Sequence, residues 1–238
     1  MRNITVPVKN ITKLSAQGDA LLNAPMRLTH RLGLIWGNTG DGKTTAVSWF
    51  AVQHSAFYVR AMAAWRTPSA LLRAICRELE IQPRRCLGDM LNDINNQLSM
   101  EMRPLFIDEA DYLVRYPDMR DTIMDLQDMS TVPIILVGMK DIRSEIKKSE
   151  KFDNRFLIDV HFTPLDKQDA RVLTNALCEV EVADDLLTNL YKFARGNTRR
   201  ITTGLYRIEQ VAEQLGVKQM DLAAFKAAKG TYFLGVAA

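Results

Sequence analysis

The eight residues from Gly37 to Thr44 constrain this chain more than any other part of its sequence. They match G-x-x-x-x-G-K-[ST] at every fixed position, after an apolar run at residues 32–36 and before a helical pattern at residues 44–53. In this setting, glycines let successive backbone N–H groups point inward at a phosphate, and the helix adds the positive end of its dipole. The segment predicts a nucleotide-phosphate loop, with Lys43 on the β- and γ-phosphates and the Thr44 hydroxyl on Mg²⁺. The predicted phosphate-binding residues are Gly37, Asn38, Thr39, Gly40, Asp41, Gly42, Lys43, Thr44 and Thr45.

Two carboxylates at the end of another apolar run form the second candidate element. Asp108 and Glu109 directly follow residues 104–107. Beside a phosphate loop, this pattern predicts that Asp108 orients the water shell of Mg²⁺ and that Glu109 polarises an attacking water. Nucleotide kinases do not need the second carboxylate, so Glu109 favours hydrolysis. Ala110 and Asp111 complete the tetrapeptide of the DEAD-box helicases, but those enzymes need two motor domains, so we interpret the tetrapeptide as coincidence.

Apolar runs that alternate with helical patterns predict a parallel sheet with helices on both faces. After Pro164 the composition shifts, and no convincing strand appears before the last few residues. We therefore predict an α/β P-loop fold over residues 1–164, with an N-terminal strap over residues 1–30, and a small helical lid domain over residues 165–238. The five strands are predicted at residues 32–36, 57–59, 104–107, 132–137 and 157–162.

Composition excludes several classes of protein. The 238 residues include 31 Lys or Arg and 28 Asp or Glu, for a net charge of +3, and 47% are apolar, which excludes a disordered or collagen-like chain. The small positive charge is compatible with a local basic patch. The three cysteines form no CxxC pair, the N-terminus lacks the apolar core of a signal peptide, and no apolar run approaches the roughly 20 residues that span a bilayer. We expect a soluble, cytoplasmic protein without a structural metal.

Taken together, the phosphate loop, the acidic pair, Arg155 and residues 196–199 (Gly-Asn-Thr-Arg) resemble an AAA+ ATPase. The chain is similar to the small AAA+ ATPases of DNA transposition, the Mu-type transposition protein B and the TnsC-like target regulators, over roughly residues 10–215. The motifs are specific for ATP hydrolysis, whereas transposition rests on overall likeness and size. The resemblance implies ATP and Mg²⁺ as cofactors, and the departure from the family pattern at Met139 indicates a slow ATPase that uses ATP to control its assembly.

Further residue roles follow from the resemblance alone. Arg155 matches the arginine finger, which in this family reaches the γ-phosphate held by a neighbouring subunit; the alternative is a surface arginine. Arg199 matches the second sensor, an arginine of the lid that contacts phosphate, with Arg200 as an alternative one residue on. Met139 stands where the first sensor is normally polar, which leaves Lys140 or a weak sensing role.

The resemblance also implies partners. Its members assemble as ATP-bridged filaments on duplex DNA and act on a transposase, and the loops that face DNA correspond to Arg66, Arg84 and Arg85 here. No residue looks like a base-reading element, so we expect little sequence specificity. Two other functions share these motifs: a helicase loader or replication initiator of the same class, and a signalling ATPase whose partner is a protein. For the latter, the apolar residues 231–236 are a candidate docking peptide.

Overall fold

A computed structural model of the protein describes residues 1–2, 4–25 and 30–228. The chain divides into two compact units. We call residues 13–37 and 43–162 the sheet unit, and residues 1–12, 38–42 and those from 163 onward the helical unit. The predicted domain boundary at residue 164 and the strap over residues 1–30 stay predictions.

The sheet unit is built on a parallel sheet whose five strands have the order β2-β3-β4-β1-β5. The predicted α/β fold, with a five-stranded parallel sheet flanked by helices, is confirmed. In the register, Gly37 pairs with Met139 and Arg60 pairs with Asp108, so the carboxyl ends of four strands lie at one edge. The strands are β1 (Leu32–Gly37), β2 (Phe57–Arg60), β3 (Leu105–Asp108), β4 (Ile134–Met139) and β5 (Phe156–Phe162).

Both faces of the sheet are buried, which explains why its inner strands read as unbroken apolar runs. On β3, Leu105 and Ile107 join the larger core, whereas the ring of Phe106 lies 6.1 Å from that of Phe50. The helices of this unit are the second part of α1 (Lys9–Leu22), α2 (Lys43–Gln53), α3 (Pro68–Glu78), α4 (Leu87–Glu101), α5 (Asp111–Val114), α6 (Pro117–Ser130), α7 (Ile142–Lys147) and α8 (Glu150–Asp153).

The sequence patterns did not predict α6, although its signals are present. Pro117 occupies the first turn, where a missing N–H costs nothing, and Met119, Ile123 and Leu126 repeat at helical spacing and are fully buried.

Besides its helices, the helical unit contains two short strands. Asp166 caps the first helix by accepting a hydrogen bond from the Asp169 N–H. The expectation of no strand before the last few residues is wrong, because β6 (Glu181–Val182) pairs in parallel with β7 (Gln219–Met220). Strands of two residues are too short to show an alternating pattern. The helices are α9 (Lys167–Leu177), α10 (Asp184–Ala194), α11 (Thr198–Leu215) and α12 (Leu222–Ala227). The candidate docking peptide at residues 231–236 lies outside the described residues.

In the described part of the chain, no helix combines the length and the apolar character that crossing a membrane requires.

A buried arginine connects two helix ends in the sheet unit. Arg31 is 4% exposed, and burial lowers the pKa of its guanidinium. Nη2 donates to the carbonyl oxygens of Leu21 (3.3 Å) and Leu22 (2.9 Å), and Nη1 donates to that of Thr131 (3.2 Å). These carbonyls lie at the C-terminal ends of α1 and α6, where the partial negative charge of a helix favours a cation. Arg31 therefore satisfies carbonyl groups that the helices leave without a donor.

We expect Arg31→Met to lower the free energy of unfolding by about 2–3 kcal/mol, because three carbonyl groups lose a charged donor in a buried setting. Urea unfolding followed by circular dichroism measures the change. Arg85→Met is the matched control at an exposed arginine, and its effect should stay within about 0.5 kcal/mol. Equal stability of the two variants would contradict this role.

Candidate nucleotide-binding site

The phosphate loop has the backbone that its glycines predict. Gly40 and Gly42 have φ of 84° and 87°, in the left-handed region that side chains disfavour. A Cβ on Gly40 would also lie 2.6 Å from Oδ1 of Asn197. Lys43 begins α2, so the loop opens directly into the N-terminal end of a helix, as anion-binding loops do. The loop therefore fits a bound phosphate chain.

The N-terminal end of α11 is hydrogen-bonded to this loop. Asn197 Nδ2 donates to the carbonyl oxygen of Thr39 (2.7 Å), and the Arg199 N–H donates to that of Gly40 (2.9 Å). Asn197 Oδ1 at the same time caps α11 by accepting from the Arg200 N–H (3.1 Å). Because C=O and N–H point in opposite directions across a trans peptide, the bond to Thr39 turns the N–H of Gly40 away from α11. Asn197 thus helps to set the direction of a loop amide.

Asp41 braces the same loop from within. Its Oδ2 accepts a hydrogen bond from the Asn38 N–H (2.9 Å), and the side chain is buried. This bond closes the turn over residues 38–41 and keeps the loop compact.

Asp108 is the buried centre of the candidate metal site. Its Oδ2 accepts hydrogen bonds from the hydroxyls of Thr44 (3.1 Å) and Tyr58 (2.6 Å), and its Oδ1 accepts from the Glu109 N–H (2.8 Å). The structure therefore brings together Thr44 and Asp108, the two residues that the sequence predicts to hold Mg²⁺. A hydroxyl beside a carboxylate is a donor set that fits Mg²⁺.

Tyr58 was not predicted from the sequence, because nothing in the motif refers to β2. Burial, and then the hydrogen bond to Asp108, raise the pKa of its phenol above the ordinary value. The hydroxyl therefore keeps its proton and remains a donor.

Glu109 holds an unusual backbone conformation. Its φ is 56°, in the left-handed region, although it is not glycine and directly follows a strand. Its carboxylate is 27% exposed and pairs with Arg60 (Nη2 to Oε1, 3.3 Å). Strained residues of this kind concentrate at functional sites. Arg60 was also not predicted from the sequence, because its position beside β3 depends on strand pairing.

The end of β4 is fixed by Asp111. Its Oδ2 accepts from the Met139 N–H (2.9 Å), and burial raises the pKa of its carboxyl. A Cβ on Gly138 would lie 2.6 Å from the same oxygen, so glycine there admits the carboxylate. The Met139 side chain is 41% exposed and brings no polar group to the first-sensor position, and Lys140 beside it is exposed.

A cleft of about 540 Å³ opens next to Glu109. Four carboxylates and one arginine line its charged part. These are Glu109, Asp111, Asp141, Glu145 and Arg115.

The predicted arginine finger makes a contact within its own chain. Arg155 precedes β5, pairs with Asp128 of α6, and its side chain is 14% exposed. Arg199 and Arg200 are exposed at the start of α11. The roles of all three residues stay predictions.

The predicted DNA contacts flank α3. Arg66 precedes the helix and hydrogen-bonds to the phenol oxygen of Tyr116. Arg84 follows it and pairs with Asp93 (2.8 Å), and Arg85 is exposed in the same turn. Arg73 on the helix donates to the Arg84 carbonyl oxygen (3.3 Å), which places a further arginine beside this turn.

Comparison with known proteins gives one family and a consistent fold. The family described as AAA domain matches residues 26–145. Cdc6p from Pyrobaculum aerophilum is similar with a TM-score of 0.69 and 20% identity, over 99% of this chain and 70% of that one. The Orc1 protein of Aeropyrum pernix, solved in complex with DNA, has a TM-score of 0.65 and 16% identity, over 96% and 66%. The Holliday junction branch migration motor RuvB of Thermotoga maritima has 0.64 and 16%, over 98% and 72%. At these identities the likeness concerns the fold. No protein of curated function matches the chain in sequence.

We expect Asn197→Ser to weaken binding of a non-hydrolysable ATP analogue about fivefold. Serine still caps α11 but is too short to donate to Thr39, so the loop loses one hydrogen bond worth about 1 kcal/mol. Fluorescence titration measures the affinity. Asn23→Ser, which removes a similar bond to the Asp19 carbonyl, is the matched control. Unchanged affinity in Asn197→Ser would contradict the role of Asn197 in the loop.

Proposed function

We propose that this chain, which belongs to the AAA domain family and is an ATPase that uses ATP and Mg²⁺, binds duplex DNA without sequence specificity. In this proposal it assembles on DNA in the ATP-bound state and regulates target selection by a transposase. Hydrolysis then releases the assembly. The TnsC-like resemblance of the sequence supports this proposal, and the fold likeness to an Orc1 protein in complex with DNA and to the RuvB motor supports an association with DNA.

The main support for the proposed DNA binding is the charge of residues 60–86. This segment holds six arginines against two glutamates, although the whole chain has a net charge of only +3. Two of the arginines, Arg73 and Arg77, lie one turn apart on the exposed side of α3. We call the following residues the α3 arginine surface: Arg66, Arg73, Arg77, Arg84 and Arg85. Repeated on many subunits, a surface of this size would bind phosphates strongly and in a salt-sensitive way.

Within the ATPase, we assign roles by position. Lys43 binds the β- and γ-phosphates, and Thr44 and Asp108 hold Mg²⁺, which supplies charge neutralisation when bound. Glu109 accepts a proton from the attacking water. Arg199 contacts phosphate.

Arg155 is assigned to the nucleotide of a neighbouring subunit. For that role it must exchange its pairing with Asp128 for a contact across a subunit interface.

A helicase loader or replication initiator is the second candidate, favoured by the fold likeness to Cdc6p and Orc1. Its partner distinguishes it. ATP-dependent association with a replicative helicase would support this candidate, whereas stimulation of a transposase would support target regulation. Absence of any DNA affinity at low salt would instead favour a signalling ATPase with a protein partner.

Retention of the protein on duplex DNA with ATP, with ADP and without nucleotide tests the proposal. We expect retention with ATP only, loss of retention in Lys43→Ala, and filaments in electron micrographs with a non-hydrolysable analogue. DNA binding that is indifferent to nucleotide would remove the model.

In the same assay, we expect the double variant Arg84→Gln and Arg85→Gln to bind DNA more weakly in the ATP state. The slope of log affinity against log salt should fall by about 0.9 for each phosphate that the variant no longer neutralises. The matched control changes the same charge at Lys147 and Lys148, next to Glu145 and Glu150. Equal losses of affinity in both variants would mean that the α3 arginine surface has no special part in binding.

We expect Glu109→Gln to slow ATP hydrolysis by about 10²–10⁴ while ATP binding is kept, because the amide cannot accept the proton of the attacking water. Phosphate release and analogue binding measure the two effects separately. Glu145→Gln, in the same cleft, is the control and should hydrolyse normally. Normal hydrolysis by Glu109→Gln would show that another group acts as the base.

A further inference from the structure

A tyrosine outside every nucleotide-binding motif makes the shortest of the described hydrogen bonds to the candidate metal ligand. The Tyr58 hydroxyl lies 2.6 Å from Oδ2 of Asp108, compared with 3.1 Å for the Thr44 hydroxyl. Asp108 is 3% exposed, so its carboxylate depends on protein donors rather than on bulk water.

Strand pairing explains how Tyr58 reaches this carboxylate. On β2, Tyr58 pairs with Phe106 of β3, and Arg60 pairs with Asp108. Residues two apart on a strand share one face of the sheet, so Tyr58 is the diagonal neighbour of Asp108. Strands about 4.8 Å apart with a rise of about 3.3 Å per residue place such neighbours roughly 8 Å apart, a span that a tyrosine side chain can bridge.

The phenol is itself held by α2. Ser48 of α2 is close enough to the phenol for a side-chain hydrogen bond, which acts to lower the pKa of Tyr58. Ser48 lies one helical turn after Thr44, so both hydroxyls project from the same side of α2. A hydroxyl has one proton to donate, and at 2.6 Å from Oδ2 of Asp108 the Tyr58 proton is directed at that oxygen. Ser48, Tyr58, Asp108 and Thr44 thus form a connected set on one face of the sheet unit.

The two hydroxyl groups that donate to Asp108 differ in whether they would also bind Mg²⁺. Thr44 offers its oxygen to Mg²⁺ in the proposed function, whereas Tyr58 has only Asp108 and Ser48 to bond with among the described residues. Tyr58 is therefore the hydroxyl that can hold the carboxylate in one orientation whether or not the metal is bound.

We propose that Tyr58 is a positioning residue for the Mg²⁺ site, which fixes the orientation of Asp108 through its hydroxyl and is itself oriented by Ser48. This inference rests on the proposed function, in which Asp108 helps to hold Mg²⁺. Partners that hydrogen-bond to a metal ligand typically contribute about 10–100-fold to metal affinity.

The test measures Mg²⁺ dependence of nucleotide binding in the full chain, without reference to turnover. A fluorescent, non-hydrolysable ATP analogue is bound to the protein in EDTA and then at increasing Mg²⁺. In Tyr58→Phe, which keeps the ring, we expect the half-saturating Mg²⁺ concentration to rise about tenfold while affinity in EDTA stays unchanged. Tyr116→Phe is the control, because its hydroxyl contacts only the exposed Arg66 among the described hydrogen bonds.

Ser48→Ala gives a second, milder variant on an exposed residue, in case Tyr58→Phe does not fold. We expect a rise of about two- to threefold, and no further rise when Ser48→Ala is added to Tyr58→Phe, because Ser48 acts through the phenol. Thermal unfolding without nucleotide checks that each variant is folded.

The outcomes separate this inference from the proposed function. If Asp108→Asn loses Mg²⁺ dependence but folded Tyr58→Phe and Ser48→Ala both match Tyr116→Phe, the positioning role of Tyr58 is wrong and the metal site stands. If wild type and Asp108→Asn respond equally to Mg²⁺, the metal site itself is wrong, and the role of Tyr58 falls with it.

Discussion

The parallel pairing of β1, β4 and β3 is the constraint on which the candidate site depends. It aligns the strand ends so that the phosphate loop leaves β1 at the edge where β3 ends in Asp108. The hydrogen bond from Thr44 to Asp108 expresses that alignment, since the two residues are far apart in sequence. A slip of one residue in β3 would turn Asp108 to the other face of the sheet and break this bond.

Burial makes the polar contacts of this edge specific. Asp108 is almost fully enclosed, and three donors converge on its two oxygens. If Asp108 lost one of these donors, its buried oxygen would keep most of its desolvation penalty, because little water could replace the missing hydrogen bond. Asp111 has a similar role at the end of β4, where its carboxylate accepts a hydrogen bond from the Met139 N–H. The edge is therefore held by side chains as well as by strand pairing.

Charge is distributed unevenly over the chain, which matters more than its total. The α3 arginine surface concentrates positive charge, whereas the cleft next to Glu109 is mostly acidic. Ion pairs such as Arg84 with Asp93 reduce the positive field locally. A nearly neutral protein can thus present one surface suited to phosphates and another suited to cations.

The sequence alone determined the phosphate loop, the acidic pair, the five strands and the α/β fold, because glycine conformation and strand burial are local properties that leave a pattern in the chain. Only the tertiary structure decided which distant residues meet these motifs. Tyr58 and Arg60 reach the acidic pair through strand register, and Asn197 reaches the loop through the start of α11. The pairing of Arg155 with Asp128 of α6 also depends on tertiary packing. Such contacts depend on how elements pack, and packing leaves no fixed spacing for a sequence to display.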